Sequence, residues 1–328
     1  MTRTFVDPLA PGGRTTAANG RKLPLRCYVG KVGISVVTMA QTRELLEGCM
    51  RHGRAAYVCV TNVHATVLAQ RDSEFCRIQN ESFLSVPDGM PLVWYARMMG
   101  ERGIERVCGP DLMMEVLRIS PQHGYTHYFY GDTVETLAKM KGVIEERFPG
   151  TKILAMHSPP FRAPTDTELR DTISEINRLR PSVVWVGLGC PKQERWIGRV
   201  FPHIESSVLL GVGAAFRFLA GEYSHPPHIF QVCGLEGICW RALRRPGYVV
   251  RWYAYHTPML GCLFLKGLVR RLLGWRAGGK CHRENVQEEP PSCSGCNVPR
   301  ADLPNPQCSC GRSSSLLSPQ TTDKRYVQ

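Results

Sequence analysis

Ser182-Val183-Val184-Trp185-Val186-Gly187-Leu188-Gly189-Cys190-Pro191-Lys192-Gln193-Glu194-Arg195-Trp196 runs from an apolar strand through glycines into a polar helix-former. Strand, tight turn and helix in this order make the repeating unit of an α/β fold. Backbone N–H groups and the helix dipole at such a corner favour an anion such as a phosphate. Pro191 suits a first helical turn, Lys192 adds a mobile cation, and Gln193 adds a neutral donor and acceptor. The corner suits a nucleotide diphosphate, although it matches neither the Walker loop nor the Gly-x-Gly-x-x-Gly turn. A plainer reading, a tightly packed strand-to-helix corner, stays open beside it.

Outward from this corner the same alternation repeats. Strands are expected at 26–29, 56–60, 83–86, 126–130, 152–156, 182–186 and 207–212. Helices are expected near 41–52, 64–79, 91–99, 110–119, 133–147, 166–179, 191–200 and 214–221. The predicted fold class is α/β, a Rossmann-like, mostly parallel sheet flanked by helices, with a basic helical C-terminal membrane-binding appendage. The expected organisation is a disordered leader over 1–25, a catalytic domain over 26–223, the basic aromatic appendage over 224–276 and a disordered Cys/Pro/Ser-rich tail over 277–328.

The 328 residues carry a net charge of +13, unevenly placed. Between residues 237 and 283 there are ten Lys/Arg and no Asp or Glu. Such a segment seeks an anionic surface, nucleic acid or phospholipid. Nine of the fourteen cysteines are scattered from Cys27 to Cys262, mostly in apolar runs, which suggests reduced, buried thiols. No secretory signal and no apolar run of the roughly 20 residues needed to span a bilayer is visible.

In open α/β sheets ligands bind beyond the carboxyl ends of the strands. Asn62 follows one strand, beside Thr61 and His64. Asp88 follows the next, between Pro87 and Pro91, where a rigidly held carboxylate suits a general base. The plainer reading makes Asp88 the N-cap of the following helix. Gly131 and Asp132 end another strand, with Asp132 either a cap or a ribose or base contact. Arg106 could face a phosphate, and Asp111 reads first as a cap. No Asp-x-Asp pair is present, so a diphosphate leaving group would be met by Arg, Lys and helix N-termini. In the tail, Cys281-His282, Cys293-x-x-Cys296 and Cys308-x-Cys310 have zinc-like spacing without a scaffold around them, and no metal site is assigned.

Taken together these motifs resemble the WecG/TagA/CpsF glycosyltransferase family, glycosyltransferase family 26. The resemblance rests on Thr61-Asn62-Val63-His64, Pro87-Asp88-Gly89-Met90-Pro91, Arg106-Val107-Cys108-Gly109-Pro110-Asp111 and Pro159-Pro160-Phe161. It continues through residues 187–196 and 211–216, Ala220-Gly221 and Gly234-Leu235-Glu236, in the family's order. It implies inverting, metal-independent transfer of a sugar from a UDP-sugar to a polyprenyl-diphosphate-linked saccharide, with no cofactor. N-acetylmannosamine, its uronic acid and glucose are all compatible donor sugars. By the resemblance Asp88 is the base, and Asn62 and Gln193 line the same site. Thr61, Gly131, Asp132, Gly187, Gly189, Pro191, Lys192, Glu194, Arg106, Arg241, Arg244 and Arg251 complete the substrate-binding set. The implied partners are the two substrates and an anionic membrane surface, with a homo-oligomer left open. The implied location is cytoplasmic, peripherally attached to the inner face of the cell membrane.

Residues 264–273 form a candidate interfacial helix, with Phe264, Leu265, Leu268, Val269, Leu272 and Leu273 on one face and Lys266 and Arg270 opposite. Arg217 stands where the family usually has Asp, so a non-catalytic relative that binds nucleotide sugar competes with the enzyme. A nucleic-acid-binding protein is suggested by charge alone, and no such module is recognisable; no nucleic-acid partner is assigned.

Overall fold

A computed structural model describes residues 23–224 and 246–273. The chain opens with a hairpin, β1 (Arg26–Val29) and β2 (Val32–Ser35), and then α1 (Met39–Arg51). Next come β3 (Ala56–Thr61), α2 (Val63–Ala69), α3 (Ser73–Glu81), β4 (Leu84–Pro87), α4 (Met90–Met98) and α5 (Gly109–His123). The second half supplies β5 (Thr126–Gly131), α6 (Val134–Arg147), β6 (Lys152–His157), α7 (Asp166–Leu179), β7 (Val183–Gly187) and α8 (Lys192–Val200). It continues with β8 (Val208–Gly211), α9 (Ala215–Leu219) and, after the undescribed stretch, α10 (Pro246–Leu272).

Six strands form one parallel sheet in the order β4-β3-β8-β7-β5-β6. The central strands are buried on both faces, which is why they read as nearly unbroken apolar runs. Alternation sends Val58, Val60, Phe129 and Trp185 to a core shared with α1, α5, α6 and α9. Tyr57, Cys59, Tyr128 and Tyr130 face the opposite core under α7 and α8. Five cysteines, Cys27, Cys49, Cys59, Cys76 and Cys108, are buried free thiols.

Three local features differ from the expectation. Strand β2 was not anticipated; Gly30, at φ +63°, makes the two-residue turn that folds it back on β1. The helix expected over 64–79 is two helices, because Asp72 accepts the Phe75 N–H (2.9 Å) and starts a new one. The helix expected over 264–273 begins at Pro246.

Helix α10 packs on α2, α4 and β1. His64 Nδ1 on α2 lies 2.9 Å from His256 Nε2, and Arg71 donates to the Tyr255 hydroxyl (2.8 Å). Phe264 meets the Tyr95 ring of α4 edge-on at 5.1 Å, and Leu263 is buried beside it. The expected apolar face is therefore split. Phe264 turns inward, while Leu265, Leu268, Val269, Leu272 and Leu273 stay exposed, Leu272 at 76%. Among the described residues no helix is long and apolar enough to cross a membrane. The expected tail and nearly all of the expected leader lie outside the described residues.

Candidate active site

The pairing of β3 with β4 sets Thr61 opposite Pro87, and the Asp88 N–H donates to the Thr61 carbonyl (2.8 Å). Asn62 and Asp88 thus leave neighbouring strands side by side. Asn62 caps α2, its Oδ1 accepting from the Ala65 N–H at 3.0 Å. Asp88 does not cap α4. The N-cap is Gly89, whose φ of +119° is one that side-chain-bearing residues rarely adopt, and no side chain caps the helix. The cap reading of Asp88 falls, and its carboxylate is half-buried at the strand end.

A third segment joins them. The Val107 N–H donates to the Pro87 carbonyl (2.9 Å), which carries Arg106 and Cys108 alongside Asp88. Arg106 reaches Asp111 at 3.5 Å, and the Cys108 thiol donates to the same carboxylate at 2.8 Å. Burial, then the Asp88 charge, pushes the Cys108 thiol well above its ordinary range. Asp111 lies in the first turn of α5, whose N-cap is Cys108.

Across the sheet, Gly131 of β5 pairs with Gly187 of β7. A Cβ on Gly131 would lie 2.6 Å from the Gly187 carbonyl carbon, and one on Gly187 would lie 2.6 Å from the Phe216 ring. Close packing therefore demands glycine at both positions, whatever else they contact. Asp132 does not cap α6; Thr133 does, accepting from the Thr136 N–H. The Asp132 carboxylate, nearly buried, is held at both oxygens by Arg217 and receives the Thr133 N–H (2.9 Å). Ser158, which the sequence reading passed over, donates to the Asp132 carbonyl at 2.7 Å.

The corner that opens α8 is more self-contained than its sequence implies. Pro191 is the N-cap rather than the first helical residue, and the Gln193 N–H is taken by the Gly189 carbonyl (3.0 Å). Lys192 projects into solvent. Gln193 is buried, packed on Gly211 of β8, the residue paired with Cys59 of β3. Its Nε2 donates to Glu194 Oε1 at 2.9 Å. Glu194 is fully buried beneath it, and this carboxyl is raised to about 7 by burial, against hydrogen bonds from Gln193, its own N–H and Cys190.

Three expectations are corrected or fall outside. Thr61 is fully buried with its hydroxyl spent on Gln79 (2.6 Å) and Ser85 (2.7 Å), so it braces β3 from the core and does not face the crevice. Glu194 likewise lies under Gln193 and not against the crevice. Arg241 and Arg244 lie outside the described residues; Arg251 belongs to α10, and its side chain lies outside them too. A separate cavity of about 550 Å³ lies between β6 and α7, lined by Tyr130, His157, Ser158 and Arg162; Asn62, Asp88 and Gln193 do not line it.

An α/β sheet with a carboxylate, two carboxamides and glycine corners at its strand ends fits a group-transfer enzyme. Residues 27–273 match the Glycosyl transferase WecG/TagA/CpsF family, and the chain belongs to that family of glycosyltransferases. Similar curated proteins are the N-acetylglucosaminyldiphosphoundecaprenol N-acetyl-beta-D-mannosaminyltransferases of Staphylococcus aureus strains NCTC 8325 / PS 47 and COL. Each is 26% identical over 187 residues, covering 57% of this chain and 71% of the relative.

Proposed function

We propose that this glycosyltransferase moves a sugar from a UDP-sugar to a polyprenyl-diphosphate-linked saccharide, with inversion and without a metal. Of the three donor types, the relatives' name favours N-acetylmannosamine, and it favours an acceptor bearing N-acetylglucosamine on undecaprenyl diphosphate. The observation that carries this reading is the position of Asp88. It follows the end of β4, is not the N-cap of α4, which is Gly89, and is set beside Asn62. Asp88 takes the proton of the acceptor hydroxyl as that oxygen attacks the anomeric carbon from the face opposite UDP. Asn62 and Gln193 orient the sugars, and Arg106 with Arg241, Arg244 and Arg251 meets phosphate charge.

The exposed leucines of α10, with Lys266, Arg270 and Arg271 on the same helix, support peripheral attachment to an anionic membrane on its cytoplasmic side. There the lipid-linked acceptor resides.

The test is sugar transfer from a panel of UDP-sugars to a short-chain polyprenyl-diphosphate-sugar in EDTA, with wild type and Asp88→Asn. Product from wild type alone supports the reading and names the donor. Binding of UDP-sugar without transfer from any donor supports the second reading, a non-catalytic relative, to which Arg217 points.

A further inference from the structure

We infer that Glu194 is a positioning residue, which takes an amide hydrogen of Gln193 and thereby turns the Gln193 carbonyl oxygen toward the substrate crevice. This rests on the transferase reading above. A buried glutamine amide has two orientations, one offering hydrogens to the crevice and the other offering oxygen. The structure holds one of them. Nε2 lies on the Gly211 side and donates to Glu194 Oε1 (2.9 Å). Oε1 lies on the side of Gly213, beyond the end of β8, and has no hydrogen-bond partner among the described residues although it is buried. An ionised carboxylate only accepts, so it enforces this orientation and leaves Oε1 to a sugar hydroxyl or amide N–H.

The second carboxylate oxygen, Glu194 Oε2, is also buried, with no hydrogen-bond partner among the described residues. When the proton sits on the carboxyl oxygen that faces the amide, on Oε1 itself or after the carboxyl turns over, Glu194 becomes a donor there, and the opposite amide orientation becomes favourable. The titratable groups facing Glu194 are the thiols of Cys59, on β3, and Cys190, in the loop before α8, both pushed up by burial. Arg195, the next residue, is paired with Asp72 at the start of α3 (2.6 Å), and β8 presents Gly211 there. Among the described residues hydrogen bonds and not an adjacent cation hold the charge, and burial brings the carboxyl to about 7. Its charge state therefore changes within the working range of a cytoplasmic enzyme.

The experiment uses the full chain, with kcat and KM for the donor measured from about pH 5.5 to about pH 9 on wild type, E194Q and E194A. Wild-type turnover rises through a step near pH 7. E194Q keeps an acceptor for Gln193 but no charge, and loses the step. E194A lowers kcat about tenfold to a hundredfold, with the donor KM within about twofold. In parallel, the Gln193 side-chain amide signal is followed by NMR without substrate, in wild type and E194Q. If no donor is used by wild type, the transferase reading fails, and the amide signal still decides the role of Glu194. A midpoint near pH 7 that E194Q abolishes sustains it. A Gln193 amide indifferent to pH, or an E194Q enzyme that keeps the step, overturns it.

Discussion

Arg217 grips the carboxylate of Asp132 at both oxygens, with Nε 3.0 Å from Oδ2 and Nη2 3.1 Å from Oδ1. Arg217, where the sequence resemblance leads one to expect an aspartate, is thus answered at the end of β5, where Asp132 sits in the left-handed region at φ +57°. Restoring an aspartate at 217 alone would set two carboxylates together. Arg217→Asp is expected to lower stability by about 1–2 kcal/mol, a figure reduced for the part-exposed guanidinium. Urea unfolding measures this; a variant as stable as wild type removes the pair's structural role.

Asp88→Asn keeps the shape of the strand end and removes the proposed base. Transfer should fall about a hundredfold to ten-thousandfold while UDP-sugar affinity stays within about twofold. Calorimetry and turnover on the same preparation separate the two, and full turnover in the folded variant would falsify the assignment.

Asn62 caps α2 and has a proposed role at the site, and the two separate. Asn62→Ala removes the cap of α2 and should cost about 1 kcal/mol of stability as well as activity. Asn62→Asp keeps the cap and adds a charge beside Asp88. Its stability should remain close to wild type while transfer drops; equal losses in both variants would show that the cap explains everything.

The His64–His256 contact makes docking of α10 sensitive to acid. Burial, and then His256, lowers the His64 pKa below its ordinary value of 6.5. A depressed imidazole contributes its full docking stability above the unfolded value and loses it as pH falls below 6.5 toward the folded value. Hydrogen exchange of α10 amides should quicken between about pH 7.5 and about pH 5.5 in wild type, once intrinsic rates are corrected, and lose that dependence in His64→Ala. Identical protection at both pH values would dismiss the contact as a latch.

On the outer side of α10, Leu268→Glu with Leu272→Glu touches no core. Flotation with anionic vesicles should weaken at least about tenfold, since two exposed apolar side chains are lost and two negative charges gained. Stability should be unchanged. Phe264→Ala, by contrast, removes the Tyr95 contact and should destabilise the fold by about 1–3 kcal/mol.

Much of the architecture was legible in the chain because strand signals are local. Val-rich runs such as Tyr57-Val58-Cys59-Val60 and Val183-Val184-Trp185-Val186 are buried on both faces, so neither needs a partner to be recognised. Asp88 could be singled out because Pro87 and Pro91 hold it at a strand end; that Gly89 and not Asp88 is the N-cap of α4 came only with the structure.

By itself the sequence determined the order of strands and helices, the glycine corners and the residues arriving at the strand ends. Tertiary structure decided which of them face the crevice. Thr61 and Asn62 are neighbours in the chain, yet strand alternation sends one into the Gln79–Ser85 network while the other leaves the strand to cap α2. Glu194 sits under Gln193 because α8 rests that side on β8. The partners of Asp132 and His64, Arg217 and His256, stand 85 and 192 residues away. Local periodicity carries burial and element type; pairing between distant side chains exists only once the chain has returned to bring them within hydrogen-bonding reach.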